Sequence, residues 1–284
     1  MLMGCGPFSP DALWRRLRRP SGILAVLLLL LLLAGCGGGQ LAEDEIPDLP
    51  PEELYSQAQD QLEAGDFETA ARSFEEVERQ HPYSQWATRG QLMAAYAFYE
   101  ANKYDDAIAA AERFIDLHPG NRDVPYAYYI RGMCYYEQIS DVGRDQEMTE
   151  KSLEAFNELI RRFPDSDYAT DAKLKVDLVQ DHLAGKEMEI GRYYQRRQLW
   201  LASINRFQRV IDSFQTTTHV PEALHRLTES YLALGMTQEA QQSAAVLGHN
   251  FPGSEWYERS YALLQGQNLE PREGQGGSWL SRLF

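Results

Sequence analysis

The sequence predicts an all-α protein, a superhelix of about five stacked helix pairs, preceded by an export segment and a flexible tether. Three observations carry that reading. Small and large apolar residues recur in a fixed order that closes at Pro82, Pro119, Pro164, Gln215 and Pro252, positions 37, 45, 51 and 37 residues apart. Turn sequences such as Gly65-Asp66-Phe67 and Asn102-Lys103-Tyr104 divide each unit into two helical halves. Ahead of the units stands an apolar run, Ile23 to Ala34, behind Arg15, Arg16, Arg18 and Arg19. That run is about 12 residues long, where a spanning helix needs roughly 20, so it reads as a cleaved signal and not as a membrane anchor.

The run ends at Leu33-Ala34-Gly35-Cys36, which resembles a bacterial lipobox. The resemblance implies that residues 1–35 are a signal peptide that is removed. Cys36 then becomes the first residue, with a diacylglycerol on its sulfur and a palmitoyl chain on its amine. One acyl chain binds a bilayer marginally and two or more hold it stably, at roughly 0.8 kcal/mol per buried methylene. Gly37 follows the cysteine where an aspartate would resemble an inner-membrane retention signal, which makes the outer membrane the expected address. Residues 36–50 are glycine-rich, then acidic with prolines, and cannot bury a core. They read as a tether that spans at most roughly 50 Å when extended.

From Pro51 the units fit the tetratricopeptide pattern A-x3-F-x2-A-x4-P. Ala70, Phe74, Val77 and Pro82 match first, then Ala107, Phe114 and Pro119, then Ser152, Phe156, Leu159 and Pro164. Ser203, Phe207 and Val210 follow, with Gln215 in the proline's place, and Gly235, Ala240, Leu247 and Pro252 close the series. Repeats 1–3 are placed in residues 51–166, a linking helix with repeats 4 and 5 in 167–262, and a disordered glycine-rich tail in 263–284. The 45-residue spacing reflects an extra loop around Ser140–Gln146, and the 51-residue spacing an added helical stretch near Asp167–Leu183. Whether that stretch continues into the next repeat as one helix is left open by sequence. Small residues such as Ala58, Ala95 and Gly132 let helices approach, while Phe74, Phe114 and Phe156 fill the space between them.

Composition narrows the function. The chain has 27 basic and 42 acidic side chains, a net charge of −15. Loss of residues 1–35 removes four arginines and Asp11 and leaves −18. Such a surface repels phosphate backbones, so no nucleic-acid partner is expected. With Cys5 removed and Cys36 alkylated, Cys134 is the one thiol left, and it reads as a small buried residue. The six histidines show no metal-ligand spacing, and no nucleophile motif or phosphate loop is present. No metal, no cofactor and no enzymatic activity are expected.

Two surfaces stand out. In tetratricopeptide units the inner surface is lined from positions 2, 5, 9 and 12 of each first helix. With repeats starting at 51, 88 and 125 these positions give Tyr55 and Gln59, then Arg89, Leu92, Tyr96 and Tyr99, then Tyr126, Tyr129, Met133 and Tyr136. Tyrosine combines apolar area with a hydrogen-bonding tip, so the expected occupant is an extended, aromatic-rich peptide whose carboxylate meets Arg89. The second surface is Arg192-Tyr193-Tyr194-Gln195-Arg196-Arg197, where Arg192, Arg196 and Arg197 are candidates for a carboxylate-bearing partner.

Arg79-Gln80-His81-Pro82-Tyr83-Ser84, Tyr135-Tyr136-Glu137-Gln138, Asp141-Val142-Gly143-Arg144-Asp145 and Gly191-Arg192-Tyr193-Tyr194, together with the lipid site, are similar to the BamD family of outer-membrane β-barrel assembly lipoproteins. The likeness runs from Cys36 to about residue 262. It implies a non-catalytic subunit of the outer-membrane β-barrel assembly (BAM) complex, anchored by lipid and facing the periplasm of a Gram-negative bacterium. The implied partners are a BamA-type insertase, met through its POTRA domains, other Bam lipoproteins, and unfolded outer-membrane proteins. Arg197, followed by Trp200, falls where the family's partner-facing surface lies, and the tyrosines fall in the client-facing half. The alternative is a general periplasmic tetratricopeptide scaffold of envelope or cell-division machinery.

Overall fold

The computed structural model describes residues 48–272. Among them eleven helices follow one another with no strand between them. The first four are α1 (Pro51–Glu63), α2 (Phe67–Gln80), α3 (Gln85–Glu100) and α4 (Tyr104–Leu117). Then come α5 (Val124–Glu137), α6 (Glu147–Arg162), α7 (Asp167–Arg196) and α8 (Trp200–Ser213). Last are α9 (Val220–Ala233), α10 (Thr237–Asn250) and α11 (Glu255–Gln265). Each helix from α1 to α10 packs on its successor, and first helices also meet, α1 on α3, α3 on α5, α5 on α7 and α9 on α11. Contacts confined to near neighbours are those of a stacked tetratricopeptide array.

The turns explain the periodicity. Within pairs one, two, four and five the chain reverses through a residue of positive φ: Gly65 at 81°, Asn102 at 57°, Gln198 at 60° and Gly235 at 74°. Between pairs, the residue that ends each second helix is half extended, with φ near −130° at His81, His118, Phe163, Phe214 and Phe251. Proline follows four of them and disfavours a helical conformation at the residue before it. Phe214 adopts it ahead of Gln215 as well, so the stack and not the proline fixes this turn. Ser84, Ser166 and Ser254 then cap the next helix, their hydroxyls accepting from Ala87, Ala169 and Tyr257 amides.

The core is built of large side chains seated on small ones. Phe74, Phe114, Phe156 and Phe207 are all but fully buried, as are Ala58 and Ala95. A Cβ added at Gly132 would fall 2.6 Å from the Phe156 ring, and one at Gly191 would collide with Phe207. Cys134 is buried among them, and burial pushes its thiol up to about 12, so it stays protonated.

Helix α7 settles the question of the long spacing. It runs unbroken for 30 residues, about 45 Å at 1.5 Å per residue. Its first half packs on α5 and α6, and its second half pairs with α8 through Gly191 and Phe207. The C-terminal boundary, by contrast, needs correction. Residues 263–272, expected in the tail, belong to the folded body: α11 extends to Gln265 and Leu264 is fully buried. Leu269 packs against the last core cluster. Gln241 of α10 donates to the Glu270 carbonyl at 2.7 Å, and its own carbonyl accepts from the Arg272 amide at 3.3 Å. Buried leucines outweigh the loop-like glutamines and glycines around them. At the other end, Leu49 is tied to the end of α2, its amide donating to Gln80 Oε1 at 3.3 Å and its carbonyl 2.7 Å from His81 Nε2.

Candidate functional site

The tyrosines named from the repeat frame separate into two environments. Tyr55 is core: it is buried, with its ring 5.3 Å from Phe74 and 5.0 Å from Trp86. Arg89 is exposed, its guanidinium 5.3 Å from the Trp86 ring. Leu92 and Met133 are buried, and Gln59 is exposed. The others form a continuous half-buried face. Tyr96 of α3 lies 6.4 Å from Tyr126 of α5, and Tyr99 lies 6.2 Å from Tyr104. Tyr129 and Tyr136 rest on Phe156 at 6.1 and 6.4 Å.

Helix α7 completes this face with residues that the sequence reading left out. Tyr168 lies 5.1 Å from Tyr126 and 5.5 Å from Tyr129, and the Tyr129 hydroxyl donates to Asp171 Oδ2 at 2.6 Å. Lys175 Nζ stands 4.8 Å from the centre of the Tyr136 ring. The signal was available. A first helix that starts at 167 puts Tyr168, Asp171 and Lys175 at positions 2, 5 and 9, the frame that found the other tyrosines.

Charge is unevenly spread over the face: Arg89 stacks on Trp86 at the margin, while carboxylates line the tyrosines. Burial and then the Glu137 and Glu100 charges push the Tyr99 phenol up to about 12. Burial raises Tyr126 and Tyr129 further, helped by Tyr96 beside the first and by the Asp171 hydrogen bond at the second. Tyr168 is raised by burial and by Asp123 and Asp167. The face is aromatic and acidic.

The arginine cluster also divides. Arg192 is committed inside the stack, Nη1 3.1 Å from Glu222 Oε2 of α9. Arg196 and Arg197 are exposed at the end of α7, and Arg197 lies 4.6 Å from the Tyr193 ring. Leu199 and Leu201, 50% and 66% exposed, stand beside them. Two cations, a tyrosine and two leucines on one corner have the composition of an interface. A further concavity of about 460 Å³ lies where Val142 and Gly143 approach α7, with Asp181, His182 and His219 in its wall. His219 is 3.6 Å from Asp181, and among the described residues no cluster of His, Cys, Asp and Glu is arranged to hold a metal. Cys36 lies outside the described residues.

A family model described as "Outer membrane lipoprotein" matches residues 47–247. The chain is 48% identical over 254 residues to "Outer membrane protein assembly factor BamD" of Caulobacter vibrioides, covering 89% of this chain and 83% of that one. It is 43% identical over 241 residues to the protein of the same name from Rickettsia prowazekii, covering 85% and 95%. The chain belongs to the BamD family. Among solved structures it is similar to a thermophilic tetratricopeptide protein of Thermus thermophilus, at 17% identity over 76% of this chain and 100% of that one, with a TM-score of 0.37.

As a BamD-family member the protein is a subunit of the outer-membrane protein assembly machinery. The family-model match takes in Leu49, the whole tyrosine face, the arginine corner and most of α10. Among the described residues, the last turn of α10, α11 and the segment folded back on α10 lie beyond it. No helix among the described residues is long and apolar enough to cross a membrane.

Proposed function

We propose that the protein is a non-catalytic scaffold of the BAM complex, held to the periplasmic side of the outer membrane by an acylated Cys36. Its tyrosine face engages unfolded outer-membrane proteins, and its arginine corner docks a POTRA domain of a BamA-type insertase. Other Bam lipoproteins join the same assembly. The observation that carries the reading is the half-buried tyrosine face continuous over α3, α5 and α7, which keeps aromatic surface accessible where an ordinary core would bury it. Arg196 and Arg197 support the docking half, because no carboxylate of the described residues pairs with either one.

Co-purification tests the reading. Tagged protein extracted in mild detergent is expected to bring down a large POTRA-bearing barrel, and Arg196→Glu with Arg197→Glu is expected to lose it while the helical circular-dichroism signal persists. Retention of the barrel by the folded double variant would overturn the corner assignment. Mass spectrometry of the mature N-terminus tests the anchor separately: Cys36→Ser is expected to yield a folded, unacylated protein released from the membrane.

A further inference from the structure

The tyrosine face has a charge as well as a shape. We propose that it selects clients by a basic side chain: a lysine or arginine of an extended segment seats among Tyr96, Tyr126, Tyr129 and Tyr168. This inference rests on the client-binding reading above and names the chemistry by which the client is held.

Ring geometry comes first. Tyr96–Tyr126, Tyr126–Tyr168 and Tyr129–Tyr168 are tilted pairs, with interplanar angles of 41°, 34° and 38°. Tilted rings leave part of each electron-rich face uncovered, where stacked rings would cover one another. Hydroxyls of the face bond to the protein's own acids at Tyr129 and at neighbouring Tyr99. Tyr129 donates to Asp171 at 2.6 Å and Tyr99 donates to Glu137 at 3.5 Å. Each such bond uses the phenol's proton and leaves lone pairs on the carboxylate, so what remains for a ligand is ring face and acceptor oxygen. Both favour a cation.

The protein already uses this pairing at both margins. Lys175 stands 4.8 Å from the Tyr136 ring at one end, and Arg89 stands 5.3 Å from Trp86 at the other. Over the four central rings lies no lysine or arginine of the described residues. The carboxylates that bear on Tyr96, Tyr126, Tyr129 and Tyr168 are Glu100, Asp171, Asp123 and Asp167, of which Asp123 is paired with Arg122 at 3.4 Å. An acidic client end is therefore repelled from the centre and a basic side chain is drawn in. In an extended segment, residues two apart share a face, so aromatic neighbours of that basic residue rest on the outer tyrosines.

The test uses the full lipidated chain in mild detergent and fluorescent peptides that alternate aromatic and polar residues. The peptides differ only at one central position, which is arginine, citrulline or glutamate. Arginine is expected to bind about tenfold more tightly than citrulline, with glutamate weakest. The double variant Glu100→Gln, Asp171→Asn is expected to close that gap with its circular dichroism unchanged. Equal binding of the arginine and citrulline peptides, with both lost in Tyr126→Ala and Tyr168→Ala, would sink the charge selection and leave client binding standing. Binding that neither tyrosine variant alters would remove both.

Discussion

The same helix positions are put to opposite uses in the two halves of the stack. In the early half, these positions (2, 5, 9 and 12) supply Tyr96, Tyr99, Tyr126, Tyr129, Tyr136 and Tyr168, whose rings stay partly exposed on α3, α5 and α7. In the late half the corresponding side chains are spent on one another. Arg192 of α7 pairs with Glu222 of α9 at 3.1 Å, Gln195 donates to Glu229 at 3.1 Å, and His225 Nδ1 is 2.8 Å from Ser260 Oγ of α11. Arg226 and Arg259 then flank the Trp256 ring at 5.7 and 4.8 Å. A face whose polar groups are already satisfied gains little from a partner, whereas a half-wet aromatic face loses water by gaining one. The early half keeps aromatic surface open and the late half closes on itself, leaving Arg196, Arg197 and Leu201 exposed at its corner, the surface proposed above for docking.

The largest effects are expected where the two halves are alike. Gly132 and Gly191 face Phe156 and Phe207 with no room for a Cβ. Valine at either position is expected to cost about 3 kcal/mol, toward the upper end of overpacking penalties, because the obstacle is a buried ring. Chemical denaturation followed by circular dichroism reads it. An unequal pair of losses would show that one half carries the stability of the stack.

Next come the effects that separate the halves. Arg192→Ala leaves Glu222 with Arg226, 3.3 Å away, so a loss of about 1–2 kcal/mol is expected, not the larger cost of a buried charge stripped of every partner. The pH profile separates them further. Burial alone would raise Glu229, but hydrogen bonds and charge from His225 and Arg226 outweigh it and hold the carboxyl at about 2. A depressed carboxylate adds stability above its unfolded value of about 4.3, and that stability is lost as pH falls toward 2. The tyrosines run the other way. Tyr99, held at about 12, keeps its proton in the fold where the unfolded chain would ionise. Its contribution is present below about pH 10 and is lost as pH rises above it. Hydrogen exchange at acid and at alkaline pH is expected to open the late and the early half first, respectively. Loss of both halves together at either extreme would remove the distinction.

Much of this architecture is legible in the sequence. Pair boundaries followed from proline and glycine because these residues act on their own backbone, and Ala58 and Gly132 announced helix approach by their size. Five of the seven groove candidates, Tyr96, Tyr99, Tyr126, Tyr129 and Tyr136, share one face. Three things escaped. The continuity of α7 depends on two packing partners along one helix, which no local signal encodes. Tyr168 and Lys175 were missed because the frame was stopped at residue 166. The fold-back of Leu269 onto α10 and the commitment of Arg192 to Glu222 are long-range pairings, and a run of arginines looks the same whether or not a carboxylate waits on the next helix.

The smallest effect compares one turn from each half. Asn102 and Gln198 both hold positive φ, at 57° and 60°, where Gly65 and Gly235 serve the first and last pairs. Asparagine tolerates that region through local hydrogen bonding, while glutamine, with its longer side chain, pays the ordinary steric cost of roughly 1–2 kcal/mol. Glycine removes the cost but adds freedom to the unfolded chain, worth about 0.4–1 kcal/mol against folding. Gln198→Gly is therefore expected to stabilise by about 0.5–1 kcal/mol, and Asn102→Gly to leave stability unchanged within a few tenths. Thermal melts of the two variants beside the parent chain check it. Because Gln198 stands directly after Arg196 and Arg197, a Gln198→Gly variant that melts higher yet still recovers the barrel would show that the strain serves neither the fold nor the corner. One that melts higher and loses the barrel would place the turn's geometry within the docking surface.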